Sequence, residues 1–338
     1  MKRLALYSGS GISLPRSLGY IAENVKSHSA FFILRTLAAT VARGEPLSRG
    51  FAKFPHQFDR FTIGFIEAGE ASGSLTLTLE HIATLLEKRR MLSQKVLGAL
   101  VYPAIILVGT ICITGFLTFY IFPKILPVLE SFQTVLPLPT RLLIGANTFL
   151  ARDWLWFIVG LALCSIGIFI LFRNSFVRRA IEHFFVRIPL FGSLYRNYSV
   201  SLFLRVLALL LAGGIRIIPA LVLVRAALPG LSYPEALFST EKQISEGHRF
   251  SFALTQHPQL FPPVVIQMIA AGETTGTLCE NLDSLATLYE NDLEELIKNL
   301  TVFIEPILMI LMGLIVGFVA LAIITPIYSV TQNLNAHP

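Results

Sequence analysis

The chain has 338 residues, of which 54% are hydrophobic and only 14% are charged, and its mean hydropathy is +0.67. Soluble globular domains carry about 25% charged residues, so this composition excludes an ordinary soluble protein and indicates a membrane protein. The formal net charge is +6. Basic residues beside membrane spans face anionic lipid, so this charge does not require nucleic acid as a partner. Three cysteines do not suggest a disulfide framework.

The sequence contains the same unit twice, with a constant offset of 203 residues, as from Glu70 to Glu273. The core of the match pairs Ala68, Gly69, Glu70, Gly73, Leu75 and Leu79 with Ala271, Gly272, Glu273, Gly276, Leu278 and Leu282. More distant glycines and prolines stay in step: Gly11, Gly44, Pro55, Pro103 and Pro123 pair with Gly214, Gly247, Pro258, Pro306 and Pro326. Because glycine and proline fix backbone geometry, these pairs mark the same corners in both copies.

Residues 1–97 are predicted to form a helical domain. From Leu75 onward apolar residues recur every three or four positions, and no alternating strand pattern competes. Gly73 and Ser74 are predicted to end one helix and to begin the next, because glycine tolerates a corner and serine is a good N-cap. Gly276 and Thr277 predict the same corner in the second copy. The helix after each corner is predicted to continue without a break into an apolar segment.

Three apolar segments are long enough to cross about 30 Å of hydrocarbon. They run from Ala99 to Phe122, from Trp154 to Phe172, and from Pro306 to about Ile327, and none contains Lys, Arg, Asp or Glu. These segments are the predicted transmembrane helices.

The run from Leu202 to Leu228 is also apolar, but it is interrupted by Arg205, Arg216 and Arg225. Each charge at bilayer depth would cost roughly 2.5 kcal/mol or more. The run is therefore predicted to be a buried helical hairpin of the second domain, with Gly213 and Gly214 at its corner.

The distribution of lysine and arginine predicts the orientation in the membrane. Of the 27 basic residues, thirteen lie in residues 1–97, three in 123–153, eleven in 173–305 and none after Thr325. By the positive-inside rule, both helical domains are predicted to be cytoplasmic, while the loop and the C-terminal tail lie outside.

The doubled corner has a distinctive sequence. It reads Ala68-Gly69-Glu70-Ala71-Ser72-Gly73-Ser74-Leu75 and Ala271-Gly272-Glu273-Thr274-Thr275-Gly276-Thr277-Leu278, and about thirty residues later come Tyr102-Pro103 or Glu305-Pro306. Phe122-Pro123-Lys124 closes the first span, and Leu211-Ala212-Gly213-Gly214-Ile215 lies in the second domain. On these motifs the chain resembles the inner-membrane platform proteins of type II secretion systems and type IV pili, the general secretion F and pilin biogenesis C (PilC) family. Members often carry a further cytoplasmic stretch before the first repeat, which here begins at about Leu4.

The resemblance implies an all-α membrane protein with two homologous cytoplasmic helical-bundle domains in tandem and three transmembrane helices, in the bacterial inner membrane. The expected order is a cytoplasmic repeat domain 1 (1–97), a transmembrane helix (98–122), a periplasmic loop (123–153), a transmembrane helix (154–172), a cytoplasmic repeat domain 2 (173–304), a transmembrane helix (305–327) and a periplasmic tail (328–338).

The resemblance also implies a platform without catalysis or cofactors of its own. Such a platform relays the movement of a cytoplasmic secretion or pilus ATPase to pilins or pseudopilins. Its expected partners are that ATPase, other inner-membrane assembly proteins, the pilins or pseudopilins, membrane lipid and further copies of the chain, with no nucleic acid.

Two groups of residues are candidate sites. The repeat-motif residues have either a structural role or a partner contact: Gly69, Glu70, Gly73, Pro103, Gly272, Glu273, Gly276, Glu305 and Pro306. For the two glutamates a structural cap or an ion pair is the more common role of a carboxylate near a helix corner, with a partner or a metal as the alternative. The basic residues near membrane ends are interpreted as contacts to lipid or to the ATPase: Lys88, Arg89, Arg90, Arg178 and Arg179.

Other function classes fit the sequence less well. The seven histidines show no paired metal spacing, and no phosphate-binding loop or nucleophile elbow is present. An enzyme is therefore not expected. A small membrane transporter built from a duplicated unit remains the main alternative, because transporters often bind substrates between repeats.

Overall fold

The computed structural model describes residues 1–124, 127, 138, 140–142, 144–145, 159–160, 162–165, 167 and 189–335. Across these residues every regular element is a helix. The predicted all-α class is confirmed.

The first copy contains six α-helices, which are α1 (Lys2–Gly9), α2 (Leu14–Glu23), α3 (His28–Ala42), α4 (Leu47–Ala52), α5 (Arg60–Ala71) and α6 (Leu75–Phe116). A short π-helical stretch, Leu117–Ile121, follows α6. The second copy contains α7 (Pro189–Ala212), α8 (Ile217–Ala227), α9 (Ser232–Ser245), α10 (Phe250–Thr255), α11 (Pro263–Thr275) and α12 (Leu278–Asn335). Apart from the longer α7 and α12, each helix starts and ends within one residue of its counterpart shifted by 203 positions.

The predicted corners are confirmed. Helix α5 ends at Ala71 and α6 begins at Leu75, and Gly73 between them has φ of 71°. Gly276 caps α11 in the left-handed conformation with φ of 79°. Only glycine adopts such a φ without a steric penalty, so the same backbone turn is built twice.

The predicted hairpin in the second copy is also confirmed. Helices α7 and α8 flank a corner at which Gly214 has φ of 79°. The stretch Gly192–Ala212 is long and apolar enough to span a membrane, but most of it is buried among protein side chains. Phe203 and Leu207, for example, have no exposed surface. Burial in the protein explains why this apolar helix tolerates Arg205.

Among the residues that the structure describes, two other helices are long and apolar enough to cross a membrane. They are Leu75–Lys124, which contains α6, and Leu278–Thr325, which lies within α12. The first and third predicted spans lie in these two helices, and large apolar side chains there are exposed, such as Ile105 and Leu314. An exposed apolar helix surface is what contact with lipid requires. The second predicted span, 154–172, falls mostly outside the described residues.

The described residues within Met1–Ser93 and Arg179–Leu296 form one compact unit. Its apolar core draws on both copies, including Phe65 and Leu79 from the first and Phe203 and Leu221 from the second. Helices α5 and α8 pack against each other in this core. The two copies therefore stabilise each other, because their helices share one apolar core. The boundaries at residues 97 and 304 stay a prediction.

The described residues within Gln94–Arg178 and Ile297–Pro338 form the second unit. A small apolar cluster joins Phe122 to Val319 and Ala322. The Thr140 hydroxyl donates a hydrogen bond of 2.8 Å to the backbone carbonyl of Ala322. The Phe122 cluster ties the end of the first predicted span to the third within this unit, and the Thr140 bond ties the predicted loop that follows to the third.

Candidate functional site: paired glutamates and a charged cluster between the copies

Glu70 caps a helix that precedes it in the chain. Its carboxylate accepts hydrogen bonds from the backbone N–H of Leu47 and from that of Ser48, the latter at 3.1 Å. The Ser48 hydroxyl donates a third hydrogen bond, of 2.6 Å. Leu47 and Ser48 are the first two residues of α4, whose N–H groups have no partner within the helix. A carboxylate at this end also interacts favourably with the helix dipole.

Glu273 makes the same arrangement in the second copy. Its two carboxylate oxygens accept from the backbone N–H groups of Phe250 at 2.8 Å and Ser251 at 3.0 Å, and from the Ser251 hydroxyl. The carboxylate of each glutamate thus binds the N-terminus of a six-residue helix. Among the described residues, no group of three or more His, Cys, Asp and Glu side chains could hold a metal ion.

The glycines of the motif serve two different purposes. Gly69 and Gly272 lie inside helices, where a Cβ on Gly69 would come 2.7 Å from Thr78 Cβ and one on Gly272 would come 2.8 Å from Leu278 Cα. These two positions need the absence of a side chain. Gly73 and Gly276, in contrast, need a positive φ and have open space around them.

The remaining motif residues lie farther along the two long helices. Pro103 is inside α6, and Glu305 and Pro306 are inside α12, where both are exposed. A proline inside a helix removes one backbone hydrogen bond. These residues belong to the second unit, whereas the glutamate caps belong to the first. Their role as partner contacts stays a prediction.

A charged cluster lies between the two copies. The Arg205 guanidinium of α7 donates from Nε and Nη2 to the two carboxylate oxygens of Glu290, at 2.7 and 2.8 Å. It also donates to Asp283, and to the Thr287 hydroxyl at 3.0 Å. Lys88 of α6 donates to Glu290 at 2.7 Å. Glu290 therefore joins a residue of the first copy to α7 of the second.

The sequence-based reasoning missed this cluster, although two signals for it were present. Asp283, Thr287 and Glu290 recur at spacings of four and three on α12, which places them on one helix face. Arg205 stands opposite them in an otherwise apolar run. The repeat offers a second signal, because Arg205 and Glu290 are the counterparts of Lys2 and Glu87, so both copies carry a basic and an acidic residue at matching positions. In the structure Lys2 and Glu87 also form an ion pair, at 2.7 Å.

The basic residues near α6 have different surroundings. Lys88 bonds to Glu290, while Arg89 lies 3.7 Å from the carboxylate of Asp59 and donates to the backbone carbonyl of Ala227 at 3.5 Å. Arg90 is exposed. Arg178 and Arg179 fall outside the described residues.

Comparison with known proteins identifies the family. The family described as type II secretion system (T2SS), protein F, matches residues 1–123 and 203–326, which correspond to the two copies with their long helices. The chain belongs to this family. The PilC type IV pilus assembly protein of Thermus thermophilus is 32% identical over 99% of this chain and 82% of its own length. The type II secretion system protein F of Pseudomonas aeruginosa is 31% identical over 98% of this chain and 82% of its own.

A third relative of this chain is the type IV pilus assembly protein TapC of Aeromonas hydrophila. It is 29% identical over 97% of this chain and 79% of its own length. Named members from both pilus assembly and secretion thus align with nearly the whole chain. The predicted family membership is confirmed.

Proposed function

We propose that this chain is a non-catalytic platform protein of the bacterial inner membrane, which couples a cytoplasmic assembly ATPase to the polymerisation of pilins or pseudopilins. The observation that carries the proposal is the protein F family match over both copies of the repeat. Relatives named for pilus assembly and for type II secretion support the same general role.

The architecture supports a mechanical role. Both copies contribute to one core, and each copy contains one helix that continues from this core into an apolar segment. Lys88 on α6 and Glu290 on α12 are joined by an ion pair of 2.7 Å. A load applied to the shared core by a motor would therefore act on both long helices together.

The proposed topology places the repeats in the cytoplasm. Ser27 and Ser245 are exposed, so each is a suitable position for a single cysteine in a chain without Cys112, Cys164 and Cys279. We expect these cysteines to be protected from an impermeant thiol reagent in intact cells and to react after permeabilisation. Labelling of Ser245→Cys in intact cells would contradict the orientation.

A cysteine at Ser131 tests the opposite side of the membrane. Because it lies in the predicted periplasmic loop, it should react with the same reagent in intact cells. Its labelling also serves as the positive control for the two protected positions.

A chromosomal deletion tests the function itself. Loss of the chain should abolish pili or pseudopili and leave prepilin cleavage intact, because cleavage needs a peptidase and not a scaffold. The purified chain should hydrolyse no nucleotide. Normal fibres and normal secretion in the deletion strain, combined with altered uptake of a solute, would contradict the platform and favour the transporter.

The ATPase contact is tested by charge reversal. Arg178→Glu with Arg179→Glu should weaken salt-sensitive capture of the cognate ATPase by the reconstituted chain, since steering between charged surfaces depends on ionic strength. Reversal of the exposed Arg16 is the control. Membrane insertion and protein level must match the wild type, and unchanged capture would remove these arginines from the ATPase contact.

A further inference from the structure

Three consecutive residues of α6 form ion pairs with three different parts of the first unit. The partners lie on α1, on α12 and just before α5, in the pairs Glu87–Lys2 at 2.7 Å, Lys88–Glu290 at 2.7 Å and Arg89–Asp59 at 3.7 Å. Consecutive residues of an α-helix point about 100° apart, so these contacts hold α6 from three sides. Arg90, the next residue along the helix, is exposed.

The apolar packing of α6 ends just before these ion pairs. Leu85 is 4% exposed and belongs to the shared core. The structure describes every residue between Leu85 and Phe122, and none of them is buried. Leu86, for example, is 39% exposed. Beyond Leu85 the ion pairs are therefore the main contacts of α6 with the rest of the first unit.

The matching stretch of α12 is attached by apolar packing instead. Tyr289 and Leu293 are buried, with 8% and 3% of their surface exposed. Leu293 is the counterpart of the exposed Arg90. Asn291 and Asp292, the counterparts of the two paired basic residues of α6, are themselves exposed. The two long helices therefore leave the same unit through different kinds of contact.

Exposed ion pairs and apolar contacts respond differently to ionic strength. The side chains of the three pairs are between 24% and 66% exposed, so dissolved ions can screen them. The Debye length falls from about 8 Å at 0.15 M salt to about 3 Å at 1 M. Loss of one such pair shifts an equilibrium by at most about fivefold. The apolar packing of α12 carries no charge to screen.

We propose that the ion pairs of Glu87, Lys88 and Arg89 form a charge-controlled joint, which holds α6 at low ionic strength and loosens it when the pairs are screened or neutralised. Under the same conditions α12 stays attached to the core. Loosening of the joint would let the first long helix move while the second stays fixed. The joint does not depend on the proposed ATPase coupling, because all of its residues belong to the first unit.

The test measures two distances in the full chain in lipid nanodiscs, in a form without the three native cysteines. A spin label at Ser245→Cys on α9 is the common reference. The second label is at Ser93→Cys for the α6 distance or at Glu295→Cys for the α12 distance, and all three positions are exposed. Pulsed electron–electron double resonance gives the distribution of each distance. An increase in sodium chloride from about 0.1 M to about 1 M should broaden the α6 distance and leave the α12 distance unchanged.

A double variant removes two of the pairs without leaving their acidic partners unbound. In Lys88→Gln with Arg89→Gln, Glu290 keeps its two hydrogen bonds from Arg205, and Asp59 keeps its hydrogen bond from a backbone N–H of α5. The chain should therefore stay folded. The α6 distance should already be broad at low salt, and further salt should change it less than in the wild type.

Matched variants separate the ion pairs from the net charge. Arg90→Gln with Arg16→Gln removes the same two charges from exposed side chains and should leave the α6 distance unchanged at low salt. Leu293→Ala is the reverse case, since it should broaden the α12 distance at both salt concentrations. Glu87→Gln is a further joint variant in case the double variant loses its helical circular dichroism signal.

Three results would overturn the proposal. The first is an α6 distance of the same width at both salt concentrations and in the folded joint variants. The second is equal broadening of the α6 distance by the control that removes the exposed arginines, since net charge and not pairing would then be the cause. The third is equal broadening of the α12 distance by salt, since the whole unit would then loosen.

Discussion

Lys2–Glu87 in the first copy and Arg205–Glu290 in the second are counterparts, yet their surroundings differ. The side chains of Lys2 and Glu87 are 66% and 46% exposed, whereas those of Arg205 and Glu290 are 9% and 24% exposed. The buried position is occupied by arginine, whose planar guanidinium meets a carboxylate with two parallel hydrogen bonds and is more weakly hydrated than an ammonium group. Both copies thus contain this ion pair, but it is exposed in the first copy and largely buried in the second.

The glutamate caps show the opposite behaviour. Glu70 and Glu273 bond to equivalent groups in both copies, each to two backbone N–H groups and one serine hydroxyl. The cap lies within one copy, so its geometry does not depend on the other copy. Arg205 lies where the copies meet, because Glu290 also binds Lys88. The copies therefore agree in their internal caps and differ at their shared surface.

The largest expected effect follows from this difference in burial. Arg205→Met leaves Glu290 and Asp283 without their main partner and should lower the free energy of unfolding by about 3 kcal/mol. Lys2→Met breaks the exposed counterpart and should cost at most about 1 kcal/mol. Urea unfolding followed by far-ultraviolet circular dichroism measures both.

Arg205→Lys separates geometry from charge in this comparison. An ammonium group cannot reproduce the paired hydrogen bonds to Glu290, so the variant should recover only part of the loss. Equal destabilisation by Arg205→Met and Lys2→Met would show that burial does not distinguish the two ion pairs.

Substitution of the paired glycines inside α5 and α11 by valine is expected to lower stability by a similar amount. Gly69→Val and Gly272→Val should each destabilise the first unit by about 1 to 3 kcal/mol, because a β-branched side chain would overlap a neighbouring helix. Lower steady-state protein level is the simplest measurement. Normal levels with failed assembly would instead identify these glycines as partner contacts.

The two glycine sites should differ in how far truncation of a neighbouring side chain restores the stability of a glycine-to-alanine variant. The atoms nearest to Gly69 belong to the Thr78 side chain, and Thr78→Ala removes its hydroxyl and methyl groups but keeps its Cβ, so it should rescue Gly69→Ala in part. The nearest atom to Gly272 is Leu278 Cα, which no side-chain truncation removes. Asn281→Ala should therefore give Gly272→Ala less relief.

The helix corners and the hairpin were predictable because their signals are local. Gly73 and Gly276 lie at turns that need a positive φ, and the arginine in the apolar run of α7 indicated burial in protein rather than in lipid. The partners of Glu70 were not predictable, since the N-terminus of α4 is more than twenty residues away in the sequence. The sharing of one core by both copies was also not predictable from the sequence, because helical periodicity identifies a buried face and not the element that covers it.

Removal of the caps should affect both copies equally. Glu70→Ala and Glu273→Ala each leave two helix N–H groups and a serine hydroxyl without their acceptor, at a cost of about 2 kcal/mol. Hydrogen exchange resolves the copies, with faster exchange at the start of α4 in one variant and at the start of α10 in the other. A large difference between the two variants would contradict the equivalence of the caps.

The smallest expected effect concerns His257, whose counterpart in the first copy is Phe54. Burial lowers the pKa of His257, and its Nε2 atom has no hydrogen-bond partner among the described residues. Because the folded-state pKa lies below the ordinary value of about 6.5, the unfolded chain binds the proton more readily than the folded chain. Stability should therefore fall as the pH decreases below about 6.5 toward the folded-state pKa.

His257→Phe introduces the residue of the first copy and should remove this part of the pH dependence. Melting temperatures of the two proteins are measured from neutral to mildly acidic pH. Near neutral pH they should differ by a constant offset, and below about pH 6.5 the melting temperature of the wild type should fall more steeply. The offset reports the change in packing, and only the difference in slope reports the proton. Parallel curves would mean that His257 binds protons equally well in the folded and unfolded chains, and the two copies would then not differ in their response to acid at this position.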